Sequence, residues 1–188
     1  MRDFVYLYRS EGPLDHLALE GALSSLGVPF RLERESNTSG LVYASKDFFM
    51  PLHSSLMAIR DDLGTTLSFL RSHADTPLSR KLIVEGLSYF PNSAFFPSDV
   101  LLREFYYRDY SSLPLLRGEF SGLDREIYLT AIAYLRSGLD AIKAAEAIYV
   151  HRNTFNYRLN KFVEATGIDP RDYHNALLIE LYEAYGRK

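Results

Sequence analysis

The chain has 188 residues, 47% of them hydrophobic and 24% charged, a balance that suits a globular protein of one or two domains with a sizeable core. No stretch approaches the roughly 18 apolar residues a transmembrane helix needs, and the lack of cysteine excludes both a disulfide framework and a thiolate metal site. The net charge of −3 gives no global attraction to nucleic acid: residues 124–188 hold nine Lys/Arg and nine Asp/Glu, and residues 1–123 hold the other twelve and fifteen.

The N-terminus runs straight into an alternating pattern, which predicts no signal peptide and a cytoplasmic protein. Phe4, Tyr6 and Tyr8 alternate with Val5, Leu7 and Arg9, a mostly buried strand. Gly12-Pro13 breaks it. Leu14 to Leu26 has helical spacing and stops at Gly27. Pro29 to Arg34 and Leu41 to Ala44 read as two further strands around the turn cluster Asn37-Thr38-Ser39-Gly40, a plausible hairpin. Residues 1–45 thus form a small β-α-β-β unit.

From Phe48 to His73, Leu52, Leu56, Ile59, Leu63, Leu67 and Leu70 follow in near-heptad succession. The spacing predicts one long helix, weakened inside by Gly64. It either pairs with a second subunit or covers the small sheet. Thr76-Pro77 reads as an N-cap followed by proline at the first helical position, with the helix running to about Tyr89. Ser98-Asp99 starts another, through Tyr110. Eight aromatics between Tyr89 and Tyr110 suit a core, a ligand pocket or an interface. Pro114 and residues 118–122 read as a linker, closing a helical connecting, dimerisation or sensing region over residues 46–120.

Residues 121–188 read as a helical domain. Ser121 and Asp124 have capping-box spacing, and the helix they open, Asp124 to Arg136, carries Ile127, Ala131 and Leu135 on one face. Ser137-Gly138 ends it. Ile142, Ala145 and Ile148 mark a short helix, and Phe155, Leu159, Phe162 and Val163 a second. Only Tyr149, Val150 and His151 separate them. Val150 can wedge between the two helices, and Ala144 and Ala145 let them cross closely. Two helices joined by so short a turn make a helix-turn-helix. Asp169-Pro170 reads as the start of a last helix, with Leu177, Leu181 and Ala184 inward, completing a four-helix domain. The whole chain is therefore α+β, mostly α.

At 100° per residue, with Phe155 at zero, Leu159 and Phe162 lie on the buried side. Asn153, Tyr157 and Asn160 point away, flanked by Asn156 on one side and Thr154 and Lys161 on the other. Arg152 stands on the first turn, where a recognition helix touches base edges. Arg158 lies nearer the buried side and would have to snorkel to reach a phosphate. Arg pairs with guanine and Asn with adenine, while Thr, Lys and helix N-terminal N–H groups suit phosphate. His151 to Lys161 contains three cations and no acid. A polar face with three cations is also what a merely solvated helix shows.

The run Val150-His151-Arg152-Asn153-Thr154-Phe155-Asn156-Tyr157-Arg158-Leu159 resembles the V-H-R-N-T-x-x-Y-R-L segment of the PucR/CdaR family of bacterial transcriptional regulators, and Thr166-Gly167-Ile168-Asp169 resembles its T-G-L-D. The resemblance covers about residues 121–185 and is distantly similar to the Fis-type helix-turn-helix. It departs where the family commonly has arginine, at Asn156, Asn160 and Lys161. It implies a DNA-binding regulator, often an activator of a metabolic operon. The DNA-contacting residues would be His151, Arg152, Asn153, Thr154, Asn156, Tyr157, Arg158 and Lys161. Double-stranded DNA is then the partner, with a homodimer and an unidentified small-molecule effector expected and no membrane.

The other reading is a protein-interaction or ligand-sensing module that keeps the fold without binding DNA. No phosphate loop, metal-binding pair or nucleophile elbow occurs, and the five histidines, His16, His53, His73, His151 and His174, show no ligand spacing. We therefore expect no enzyme, no catalytic or metal residues and no cofactor.

Overall fold

In β1 (Phe4–Ser10) the side chains alternate between two covered faces, so the strand is buried almost throughout. It is the centre of a five-stranded sheet. The computed structural model describes residues 3–187; Met1 and Arg2, where a signal peptide would begin, and Lys188 lie outside them. β1 pairs antiparallel with β3 (Ser39–Ala44) on one side and β4 (Leu67–Ser72) on the other, so that Leu7 sits between Leu41 and Leu70. β2 (Phe30–Arg34) closes one edge as the hairpin partner of β3. The two-residue β5 (Ala94–Phe95) lies parallel to β4 at the other edge. The order is β2-β3-β1-β4-β5.

Helices α1 (His16–Ser24) and α2 (Phe49–Leu63) cover the face that carries Tyr6 and Tyr8, burying Leu19, Leu23, Leu52, Leu56 and Ile59 with them. Each such side chain contributes about 1.5–3 kcal/mol of burial. Val5 and Leu7 point to the opposite face, which is packed by α3 (Pro77–Tyr89). Helix α4 (Pro97–Tyr106) follows, its first turn closed by the Asp99 carboxylate accepting from the Phe96 N–H at 2.9 Å. The β1-α1-β2-β3-α2-β4 succession with this strand order is the split βαβ plan.

The long helix expected from Phe48 to His73 is two elements. Gly64 adopts the left-handed conformation, φ 64°, and ends α2 as its C-cap. After Thr65 and Thr66 the chain enters the sheet as β4. Leu67 and Leu70 fit helical spacing, yet they belong to a strand covered on both faces, where apolar residues run on without alternating. A coiled-coil pairing helix in this region therefore has no element to rest on, and α2 covers the sheet. The same strand joins the segment 46–120 to the sheet of residues 1–45, so everything up to Tyr110 is one compact unit. The aromatic cluster is divided: Phe95, Phe96 and Phe105 are core, Tyr89 and Phe90 are half-buried, and Tyr106, Tyr107 and Tyr110 are exposed.

The second unit spans Ser111–Lys188. The expected linker contains a helix, α5 (Leu113–Glu119), whose Pro114 fits its first turn and whose Leu116 is fully buried. Helices α6 (Arg125–Arg136), α7 (Ala141–Ala147), α8 (Arg152–Thr166) and α9 (Tyr173–Leu181) follow, so the expected four helices are joined by a fifth. Asp124 itself caps α6, accepting from the N–H groups of Glu126 and Ile127, and Ser121 bonds back to the Gly118 carbonyl instead. Its buried side is Tyr128, Thr130, Ala131 and Tyr134.

Helix α9 starts three residues later than Asp169-Pro170 suggests, with Asp172 as N-cap. It buries Ala176, Leu178, Ile179 and Leu181, and a π-helical turn (Tyr182–Gly186) then rotates the chain and leaves Ala184 exposed. Phe120 stacks on Tyr182 at 4.1 Å, and Tyr128 meets Tyr182 edge-on.

A Cβ on Gly40 would collide with the Glu33 carbonyl oxygen and the Tyr8 hydroxyl. Gly40→Ala is therefore expected to cost about 1–3 kcal/mol through strand separation at the β1–β3–β2 crossing. An unshifted urea midpoint would show that the sheet yields there without strain.

Candidate nucleic-acid interface

The crossing of α7 and α8 begins with alanine. Ala144 and Ala145 are buried, and no side chain larger than a methyl separates α7 from its neighbours at those positions. Asp140 caps α7, accepting from the N–H groups of Ile142 at 2.9 Å and Lys143 at 3.1 Å. Those bonds, the Lys143 N–H first, hold the Asp140 carboxyl below its ordinary pKa. The cap is thus complete at neutral pH and is lost as acid protonates Asp140.

The turn is Ile148 to His151. Tyr149 carries it in the left-handed region, φ 56°, and is 96% exposed. The Val150 N–H donates to the Ala145 carbonyl, and Val150 is half-buried between the helices. His151 is the N-cap of α8: its Nδ1 accepts from the Asn153 N–H at 3.2 Å. Only an imidazole with an unprotonated Nδ1 can accept that bond.

Phe155, Leu159 and Phe162 are buried as their spacing predicts, with Tyr134 of α6 against Phe155. Their burial sets the rotation of α8. Arg152, Asn153 and Thr154 are exposed, and among the described residues their side chains have no hydrogen bond or ion pair. Tyr157 is 63% exposed, with the Lys161 ammonium 5.8 Å from its ring centre. Asn156 is half-buried on the flank. His151, at the start of the same helix, is exposed as well.

Arg158 and Lys161 are engaged by acids. The Arg158 guanidinium is 24% exposed and bonds the Glu126 carboxylate on the first turn of α6. Lys161 bonds Glu164 at 2.8 Å, which raises its pKa. Spacing could not show the Glu126 partner, because it lies 32 residues away in sequence.

Two exposed residues beside this surface were missed in the sequence. Tyr149 is read there only as a turn residue. Arg171 lies in the loop between α8 and α9, and its Nη2 donates to the Asn160 Oδ1 at 2.8 Å. The signal for Arg171 is tertiary: eleven residues separate it from Asn160.

The model of the PucR C-terminal helix-turn-helix domain matches residues 128–182. This part of the chain is a PucR-type helix-turn-helix domain. The match includes α7, the turn and α8. Among curated proteins, the carbohydrate diacid regulator of Escherichia coli is 36% identical over 50 residues, 27% of this chain and 13% of its own. The proline-responsive transcriptional activator PutR of Bacillus subtilis is 33% identical over 70 residues, 37% of this chain and 17% of its own. The uncharacterized protein YxkF of the same organism is 33% identical over 57 residues, 30% of this chain and 19% of its own.

Each match thus spans less than a fifth of the relative. A crystal structure of a regulator of polyketide synthase expression from Bifidobacterium adolescentis covers 99% of this chain and 80% of its own, with a TM-score of 0.50 and 20% identity. That likeness concerns the fold. Among the described residues, no helix is long and apolar enough to cross a membrane.

Because Arg158 is held by Glu126, Arg158→Ala is expected to lower the stability of the PucR-type domain by about 0.5–1 kcal/mol and to leave the salt dependence of duplex binding unchanged. Thermal unfolding and a salt titration check the two halves. A flatter salt dependence would mean that Arg158 leaves Glu126 for a phosphate.

Proposed function

We propose that this chain is a sequence-specific DNA-binding transcriptional regulator that lays α8 in the major groove. The observation that carries the reading is the set of polar side chains at the N-terminal end of α8, Arg152, Asn153 and Thr154, exposed and without hydrogen-bond or ion-pair partners among the described residues. Donors and acceptors there match base edges, and His151, Tyr157 and Lys161 stand where phosphate and sugar would pass. Asn156 and Arg158 complete the set, Arg158 only if its pair with Glu126 opens.

A few cations per subunit give weak binding by one copy, so the working form is a homodimer spanning half-sites about 34 Å apart. The unit up to Tyr110 would supply dimerisation or sense a small molecule, with the protein acting in the cytoplasm. The names of the relatives support regulation of transcription; they do not carry an effector over to this chain.

One observation favours the other reading, a protein-interaction or ligand-sensing module without DNA. Two of the three cations between His151 and Lys161 are already paired with carboxylates. A heparin column separates the two: retention of the dimeric protein at low salt is expected, and clean flow-through would favour the module.

Selection of bound fragments from random DNA should return an enriched motif. On that motif Arg152→Ala is expected to cost about 1–3 kcal/mol and to relax the base preference at one position, whereas Lys161→Ala weakens all duplexes about equally. Gel-shift titrations at two salt concentrations read both, and a harmless Arg152→Ala would mean that another face of the domain meets DNA.

A further inference from the structure

We propose that Arg171 binds a DNA phosphodiester and forms a second backbone anchor at the far end of the reading helix. The proposal rests on the DNA reading above and extends it to a residue outside α8. Asn153, Tyr157 and Asn160 fall on one ridge of α8, four and then three residues apart. Asn153, Tyr157 and Asn160 are all exposed. The Asn160 side chain accepts from Arg171 Nη2 at 2.8 Å, so the guanidinium is brought from the α8–α9 loop onto the same ridge. Asp169 fixes it from the other side: its two carboxylate oxygens lie 3.2 Å from Nη1, and Oδ1 also accepts the Arg171 backbone N–H at 3.0 Å.

Arg171 is 43% exposed. Of its five guanidinium N–H groups, Nη1 is committed to Asp169 and one Nη2 hydrogen to Asn160. Nε–H and the second Nη2–H are left for an acceptor, and two adjacent N–H groups match two phosphate oxygens. The acid beside it orients the fork without using all its donors.

The spacing also fits. Arg152 and Asn160 are eight residues apart, about 12 Å along a helix. The major groove is about 12 Å wide. With the N-terminal turn on base edges, the Asn160 end reaches the groove wall, where the backbone runs. Lys161 lies on the flank of the helix there but is bonded to Glu164. The arginine held by Asn160 adds a second, directed contact at this end beside that of Lys161.

The test uses the whole chain and a fluorescein-labelled duplex of mixed sequence, with anisotropy titrations at several salt concentrations. A phosphate contact does not depend on base identity, so no operator is required. The wild type should bind with a linear fall of log K against log salt. Arg171→Gln, which keeps a hydrogen-bonding group near Asn160 but removes the charge, should weaken binding and reduce the magnitude of the slope by about 0.9 for each subunit bound. Arg171→Lys should keep the slope and lose part of the affinity, because an ammonium cannot make the fork contact. Circular dichroism of both variants checks that the fold is kept.

A slope and affinity for Arg171→Gln equal to wild type would overturn the proposal while leaving the DNA reading in place. Absence of wild-type binding at the lowest salt would overturn both.

Discussion

Burial of Phe155, Leu159 and Phe162 fixes how α8 is rotated, and almost every statement about the surface of this domain depends on that rotation. Three large apolar side chains on one side leave the opposite ridge no choice but solvent. The alanines of α7 permit the close approach that makes those rings part of a common core with Tyr134. Asp140 accepts from two N–H groups in the first turn of α7 and His151 from one in α8, so both helix starts are capped from within the domain. The exposed face of α8 is thus a by-product of packing.

Electrostatics then edits what packing exposes. Three cations in the segment look equivalent in sequence, but Arg158 is drawn to Glu126 and Lys161 to Glu164. Arg152 keeps its charge toward solvent. Exposed pairs of this kind contribute little to stability, roughly 0–1 kcal/mol. Their larger effect is to decide which donors remain for another molecule. With a balanced charge over residues 124–188, placement of individual guanidinium groups matters more than the total.

The helical domain was legible because its signals are local. Helix-turn-helix spacing and the buried triad of α8 both involve residues a few positions apart, whereas the caps Asp124 and Asp140 emerge only from the structure. Strand β1 and the β2–β3 hairpin were legible for the same reason. The stretch 63–72 was misread because a strand covered on both faces loses its alternation and imitates a helix. Gly64 looks alike as a weak point within a helix and as its C-cap; only φ distinguishes them. Helix α5 was hidden by Pro114 and Gly118, which read as linker until Leu116 is seen buried. Among the candidate contacts, Arg171 escaped because loop closure, not periodicity, carries it to Asn160.

Tyr149 occupies a backbone region that glycine enters freely and that costs other residues about 1–3 kcal/mol. A glycine at this hinge would admit many neighbouring conformations. A tyrosine admits few, since its Cβ forbids most of them. This left-handed residue stands at the joint that sets the direction of α8 from α7. A change that lets this one residue leave the left-handed region would therefore re-aim a fifteen-residue helix.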